Sequence, residues 1–417
     1  MKPEEIITEI KELLNSKNNQ FDGNFYCFRY SGNIKTLNET YKLNTNPSIS
    51  IFGKDVIKKY RSLFNDLKKC LCKEKKISLK TFMNATQNLL FEDKFNVKKI
   101  NEVISSVKEL TVTNFRKVYG LTMRKNDIKL GPFFVVKKGG LEKYIEKREF
   151  SFDDSLSKDY FIGMIRSDSK SDEDFVYVLY EHNSFDSFVS RMDFAQKIEE
   201  FEKIVRFMIA VKNERVFISH KPFATYVDNV FQIIDGRRFS SDSHVCRKDI
   251  PFYIDDPYFT NKELGYDKIW DIISSSDKND MQSRIVTAIK WLGESFVEEE
   301  SNKTVAEIAF AFETLLYGNS EAFISKGVVS SLAEAYAFIV GTNPEERIEL
   351  EKEFKCFYKK RSTISHGARI EPANEEDIRL FYKMIYKTIC RILTIKEFSN
   401  CKSAEELYNV IQLMRYK

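Results

Sequence analysis

The chain has 417 residues, 42% of them hydrophobic, 14% aromatic and 31% charged, with a formal net charge of +4. That is enough apolar chain for a sizeable core and two or three domains, and it describes an ordered globular protein rather than a disordered one. No uninterrupted apolar run approaches the roughly 20 residues of a membrane span. The opening stretch MKPEEIITEI lacks the apolar core of a signal peptide, so a cytoplasmic protein is expected. Seven cysteines, odd in number and widely spread, give no disulfide framework. Cys70-x-Cys72 has the wrong spacing for a zinc knuckle, and His244-x-Cys246 has no second pair nearby. No metal or cofactor is expected.

In chain order, Ile6, Ile7, Ile10, Leu13 and Leu14 repeat at helical spacing and predict a helix over residues 4–16. Short aromatic or β-branched runs at 24–30 and 48–52 predict strands. Residues 54–76 predict a helix with nine Lys or Arg against three acids. That run is either a nucleic-acid face or, more simply, a solvated helix face. A mostly helical pattern follows over 77–118. Residues 128–140 (IKLGPFFVVKKGG) predict two strands broken at Gly131-Pro132. The acidic stretch 167–174 reads as a loop and 175–180 as a strand. Phe194, Ile198, Phe201, Ile204, Val205 and Met208 predict a helix over 191–212. Strands are expected at 215–219 and 225–234, and 236–280 reads as loop-rich.

After about residue 278 the pattern becomes all-helical. Ile285, Ile289, Leu292 and Phe296 mark one helix, and Val305, Ile308, Phe312 and Leu315 a second ended by Gly318-Asn319. Residues 321–340, 345–364, 374–395 and 403–414 predict four more, the fifth helix opening on Asn374 with Asp377 three positions on. Short connections imply antiparallel neighbours in a bundle. The architecture expected is an N-terminal mixed α+β domain, residues 1–278, followed by an all-α domain, residues 279–417.

Within the fourth of these helices, residues 358–367 read YKKRSTISHG. Between Lys352 and Arg369 there are six basic residues and one acid, Glu353, a local charge of +5 that exceeds the +4 of the whole chain. Arg361 and His366 stand five positions apart in a chain with four histidines. A permanent cation beside a group that titrates near neutrality suits work on a phosphodiester. The plainer reading is a surface helix with an incidental His near its end. RNA brings its own nucleophile, the 2′-hydroxyl, so His366 suits the base or acid role and Arg361 the phosphate. Ser362 lies four positions before His366, on the same helical face, where it could orient the ring or bond a phosphate oxygen. Arg361 and His366 are about 140° apart around an ideal helix, so two copies of the motif could share one site. His182 and His220 end strand-like runs and suggest surface or capping roles. His244 sits in a polar loop, Asp255-Asp256 reads as a turn, and no phosphate-binding glycine loop is present. Glu313 reads equally as an inward polar position or an exposed helical Glu.

Tyr358, Arg361, Ser362, His366 and Gly367 resemble the Y-x-x-R-S-x-x-x-H-G pattern of the Apea-like branch of HEPN ribonucleases, whose wider motif is R-x(4–6)-H. Phe312 to Leu316 (FETLL) is similar to that family's aromatic-Glu-x-Leu-Leu helix. The likeness spans roughly residues 281–396. It departs from the family at residues 330–336, where many relatives carry an Arg and this chain has none. The resemblance implies a HEPN bundle over the C-terminal domain and a metal-independent endoribonuclease with Arg361, His366 and Ser362 as catalytic residues. Tyr358, Lys359, Lys360 and Arg369 would bind RNA (tRNA or mRNA). It further implies a homodimer with the site at its interface and a role in bacterial antiphage defence by abortive infection. In that role the N-terminal domain would act as a sensor or regulator, and the partner would be a phage-derived trigger or an antitoxin. Phe354, Phe357, Ile364, Phe381 and Met384 are candidate apolar contacts of the dimer, or core. The alternatives are a non-catalytic HEPN module that binds RNA or protein, and a toxin held by a separate antitoxin.

Overall fold

The computed structural model describes residues 1–15, 40–43, 49–52, 54–73, 75–86, 89, 95–146, 163, 174–212, 218–221, 227–234, 238–245, 251–317, 327–365 and 373–416. It is mostly helical, with a small sheet in the N-terminal half and a helical C-terminal region. The chain divides into two compact units, residues 1–114 with 181–195 and residues 115–180 with 196–417. Among the described residues no helix is long and apolar enough to cross a membrane.

In the smaller unit, α1 (Pro3–Asn15) packs on α2 (Lys54–Leu71), followed by α3 (Leu79–Thr86) and α4 (Val97–Ser106). Ile6, Ile7 and Ile10 are buried, as their helical spacing predicts, against Tyr60, Phe64, Phe82 and Phe95. On α2 the apolar stripe of Tyr60, Leu63, Phe64 and Leu67 turns inward while Lys58, Lys59 and Arg61 are exposed. This is the partition an amphipathic surface helix makes. β1 (Thr40–Leu43) and β2 (Ile49–Phe52) form an antiparallel hairpin. The expected strand at 24–30 lies outside the described residues.

The helical pattern expected over 77–118 holds only as far as Ser106. Residues Leu110–Tyr119 form strand β3 instead. The sequence LTVTNFRKVY is rich in β-branched and aromatic residues, and a neighbouring strand decides its state. Thr111 Oγ1 donates to Asn183 (3.1 Å) and Thr113 Oγ1 to Glu181 (2.9 Å), a cross-strand pattern that rises on one strand as it falls on the other.

In the larger unit, β4 (Leu121–Thr122), β5 (Asp127–Leu130), β6 (Phe133–Lys137), α5 (Leu141–Glu146) and β7 (Phe175–Ser184) follow β3. The four-stranded sheet has the order β3-β7-β6-β5, and β5–β6 and β6–β7 are antiparallel. The break expected at Gly131-Pro132 is the β5–β6 turn. Gly131 has φ +56°, and a Cβ there would come within 2.9 Å of the Trp270 carbonyl oxygen, so the turn demands glycine. Helix α6 (Ser187–Ile209) buries all six of the residues expected on its apolar side. Its Phe201 meets Phe133 of the sheet at 5.2 Å between ring centroids.

Residues 236–280, expected to be loop-rich, also hold regular elements among the described residues. β8 (Val227–Ile234) pairs antiparallel with β9 (Arg238–Val245), β10 (Phe252–Tyr253) runs parallel to β4, and α7 (Tyr266–Ser274) follows. Polar residues dominate β9 (RFSSDSHV), which hides the strand from a hydrophobic pattern.

The C-terminal helices are α8 (Asp280–Ser295), α9 (Ser301–Leu316), α10 (Val328–Val340), α11 (Pro344–Ser365), α12 (Glu375–Thr394), the short α13 (Lys396–Ser399) and α14 (Ala404–Met414). Their starts are set by local chemistry. Asn279 with Gln282 and Asn374 with Asp377 form reciprocal capping boxes, and the Ser403 side chain caps α14. Aromatic rings fill the bundle: Phe312 of α9 meets Phe354 of α11 at 4.9 Å, and Phe357 meets Phe381 of α12 at 4.5 Å. The boundary expected between 278 and 279 falls inside the larger unit, in the link between α7 and α8. Across that link, Gly293 of α8 packs so closely on the α6 backbone that a Cβ would lie 2.3 Å from the Lys203 carbonyl oxygen. Tyr266 of α7 also bonds Tyr386 of α12 through their hydroxyls at 2.6 Å.

Candidate active site

The candidate residues lie on the last turns of α11, whose end is held by two neighbours. α9 packs against it, and α12 meets it through Phe357–Phe381 and Lys360–Asp377. On α11, Phe354 and Phe357 are buried and Tyr358 is only 7% exposed, which turns Arg361, one helical turn on from Tyr358, toward α9. There it meets Glu313.

Glu313 Oε1 accepts a bond from the Tyr358 hydroxyl at 2.5 Å and forms an ion pair with Arg361, 3.1 Å from its Nη2. The Arg361 guanidinium also lies over the Tyr358 ring, 5.4 Å from its centroid. The Glu313 and Arg361 side chains keep 28% and 24% of their exposure, so the pair is mostly desolvated yet reachable. Burial, reinforced by the Glu313 carboxylate, raises the Tyr358 hydroxyl well above its ordinary range, so it donates and does not ionise.

Glu313 is itself braced. The last carbonyls of a helix lack partners within it. At the end of α9, Arg284 Nη1 donates to the Thr314 carbonyl at 2.9 Å and the Tyr317 carbonyl at 2.7 Å. Arg284 Nε is in turn held by both carboxylate oxygens of Asp280, four residues earlier, at 2.9 and 2.8 Å. A chain of contacts therefore runs from Asp280 through Arg284 and the end of α9 to Glu313 and Arg361.

The remaining expected residues divide. Lys360 is bound to the Asp377 carboxylate of the α12 capping box and lies over the Phe381 ring at 5.9 Å. Lys359 is exposed on the same turn. Tyr358 points inward and serves Arg361 through Glu313. Ser362 belongs to the described helix by its backbone. His366 and Arg369 lie outside the described residues. Phe354, Phe357, Phe381 and Met384, weighed as dimer contacts or core, are all core, with at most 3% exposure.

Sequence reasoning did not single out Asp280 and Arg284. Their four-residue spacing on a helix was a usable signal for the pair, but their carbonyl partners about 30 residues on were not. His220, expected in a surface or capping role, is buried instead. Its Nδ1 lies 2.7 Å from Glu202 Oε1 of α6. A single His at the end of a short strand gives no sign of a buried carboxylate 18 residues earlier. Among the described residues no group of three or more His, Cys, Asp or Glu gathers as a metal site would.

Comparison of the chain with protein-family models, with curated proteins and with solved structures finds no match.

Proposed function

We propose that the chain is a HEPN-type endoribonuclease whose site is built on the end of α11. The observation that carries this is the Glu313–Tyr358–Arg361 cluster. Two stretches that resemble the family, FETLL and YKKRSTISHG, are 45 residues apart in sequence, and their polar residues bond one another. A carboxylate that aligns a guanidinium at a partly open surface is a way to present a fixed fork of donors to a phosphate.

In this reading the 2′-oxygen of RNA attacks the adjacent phosphorus while His366 takes its proton. The bond from phosphorus to the 5′-oxygen breaks, and that oxygen receives a proton. The products are a 2′,3′-cyclic phosphate and a 5′-hydroxyl. Arg361 stabilises the charge that builds on the phosphoryl oxygens, and Ser362 orients His366 or the phosphate. Lys359 and Arg369 add attraction for the RNA backbone. The helical phase between Arg361 and His366 favours a homodimer in which each chain supplies part of a shared site. An abortive-infection role, with the α/β part as a sensor of infection in the cytoplasm, follows from the resemblance alone.

The test is incubation of the purified protein with total RNA, with and without chelator, beside Arg361→Ala and His366→Ala. Cleavage that persists in chelator, leaves cyclic phosphate ends and vanishes in both variants is expected. Either variant cleaving near the wild-type rate overturns the assignment. Mixed dimers with one chain lacking His366 and the other Arg361 should differ in activity from both parents if the site is shared. One observation favours a second reading. Arg361 already has a carboxylate partner, as a residue that only shapes a binding surface would, and RNA binding without cleavage is the outcome that selects this non-catalytic module.

A further inference from the structure

The larger unit holds a second cluster of ionisable groups that the ribonuclease reading does not use. Glu202 and Arg206 lie one turn apart on α6, and His220 follows Ser219, which is bridged to Tyr119 at the end of β3. All three are at least nine-tenths buried. Glu202 Oε1 accepts from the His220 backbone N–H and lies 2.7 Å from its ring Nδ1, while Glu202 Oε2 is 3.3 Å from Arg206 Nη2. Arg206 Nε donates to the Ile218 carbonyl at 2.9 Å, which fixes the chain just before the histidine. Burial pushes the Glu202 carboxyl up, against the opposing pull of Arg206 and His220. Burying such a triad is costly, and apolar residues of similar volume would serve packing alone as well.

What the triad does is hold one imidazole in one orientation. With Nδ1 committed to Glu202, Nε2 is the nitrogen left to meet a ligand. His220 lines a shallow depression of about 330 Å³, at the low end of small-molecule sites. The other lining residues are Phe115, Arg116, Lys117, Tyr119 and Tyr177. The aromatic members are joined through the buried Phe175, which does not line the depression: Phe115 meets Tyr177 at 6.3 Å, Tyr177 meets Phe175 at 5.3 Å and Phe175 meets Tyr119 at 5.9 Å between centroids. Lys117 and Lys138 both stand over Phe175, at 4.5 and 5.1 Å. An exposed guanidinium, an ammonium and an oriented imidazole suit a phosphate monoester. Aromatic walls beside them suit a flat ring, because stacking needs only a π-face. A nucleotide has both parts.

We propose that this depression, at the sheet end where β3 meets His220, binds a nucleotide, with Arg116, Lys117 and His220 on the phosphate and the partly buried Tyr119 and Phe115 against the base, the buried Tyr177 serving as the floor behind them. The site lies outside the Arg361 cluster and does not depend on the chain cleaving RNA. Titration calorimetry of the full chain with AMP, adenosine and inorganic phosphate tests it. AMP binds, and adenosine and phosphate each bind about tenfold or more weakly, since each supplies half of the contacts. Arg116→Ala with Lys117→Ala lowers AMP affinity about tenfold or more and leaves adenosine binding unchanged. His220→Asn, which retains an N–H donor toward Glu202 but lacks Nε2, lowers AMP affinity while keeping the wild-type melting temperature. Arg361→Ala binds AMP as the wild type does. No heat with millimolar AMP, equal affinity for AMP and adenosine or for AMP and phosphate, or an Arg116/Lys117 double variant that binds AMP normally, each overturns the proposal.

Discussion

Replacing Glu313 tests whether the cluster at the end of α11 is held as described. An exposed ion pair contributes about 0–1 kcal/mol, and breaking a fully buried one costs about 3–5 kcal/mol. Glu313 and Arg361 each keep about a quarter of their exposure, which places the pair between these limits, nearer ~1–2 kcal/mol. Glu313→Ala also strips the buried Tyr358 hydroxyl of a charged acceptor, another ~1 kcal/mol. The expected loss is ~2–3 kcal/mol, or a fall in melting temperature of ~3–5 °C for a unit of this size. Glu313→Gln keeps an oxygen for Tyr358 and removes the charge facing Arg361, so ~1 kcal/mol is expected. Tyr358→Phe should cost a similar amount, and the double variant less than the sum, because the two groups share one contact. Scanning calorimetry gives the stabilities, and gel-resolved cleavage of total RNA gives the activities. Loss of the carboxylate that aims the guanidinium should slow cleavage by about ten- to a hundredfold. If Glu313→Ala melts like the wild type, the contact does not form in solution. If it cleaves at the wild-type rate while Arg361→Ala is dead, something other than Glu313 aims the arginine.

Three further outcomes follow from titratable and buried groups. Asp186 precedes α6, and its carboxylate accepts from the Phe188 and Val189 N–H groups and from the Ser78 hydroxyl and N–H. Burial pushes this carboxyl up, but those bonds outweigh it and hold it down at about 2. Stability it confers is complete above the ordinary Asp value and lost as pH falls from about 4 to about 2, so in acid titrations Asp186→Asn should abolish that part of the pH dependence. Glu307 on α9 is the opposite case: burial raises it to about 7, and its Oε2 is buried without a partner among the described residues. It costs stability as pH rises from about 4.5 to 7, so Glu307→Gln should raise the melting temperature at pH 8 and make little difference at pH 5, and an equal effect at both would refute the assignment. Tyr382 lies in the bundle core with its hydroxyl buried and unpartnered among the described residues, so Tyr382→Phe should leave stability unchanged or raise it by ~1 kcal/mol, measured by denaturant midpoint.

The C-terminal helices were legible because each signal was local. Helical spacing marked Ile285, Ile289 and Leu292, and Asn374 with Asp377 announced the start of α12 three residues apart. The α/β part was less so. Leu110–Tyr119 becomes a strand through its neighbour β7, and the polar β9 is held by pairing with β8, both long-range effects that no window of sequence contains. The same limit applies to the sites. YKKRSTISHG could be read as a basic helix end with an Arg and a His. That its Arg361 answers to Glu313, and Glu313 to the helix end that Arg284 caps, required the fold.

The charge count along α11 also changes meaning once the neighbours are known. Read as a string, residues 352–369 carry +5. In the bundle, Lys355 pairs with Glu351, Lys360 with Asp377 and Arg361 with Glu313, so three of the basic groups are answered by acids, two of them from other helices. This lowers the repulsion that would oppose bringing two such helices together across a two-fold axis. It equally lowers the sequence-independent attraction for RNA, which rests on the number of phosphates neutralised. The ion pair with Glu313 and the Tyr358 ring beside it set where the Arg361 guanidinium sits. A site organised this way draws less on bulk charge and more on the orientation of a single guanidinium. If the chain is the ribonuclease proposed above, its affinity for RNA should therefore fall only gently with added salt, while its cleavage rate should depend steeply on Glu313.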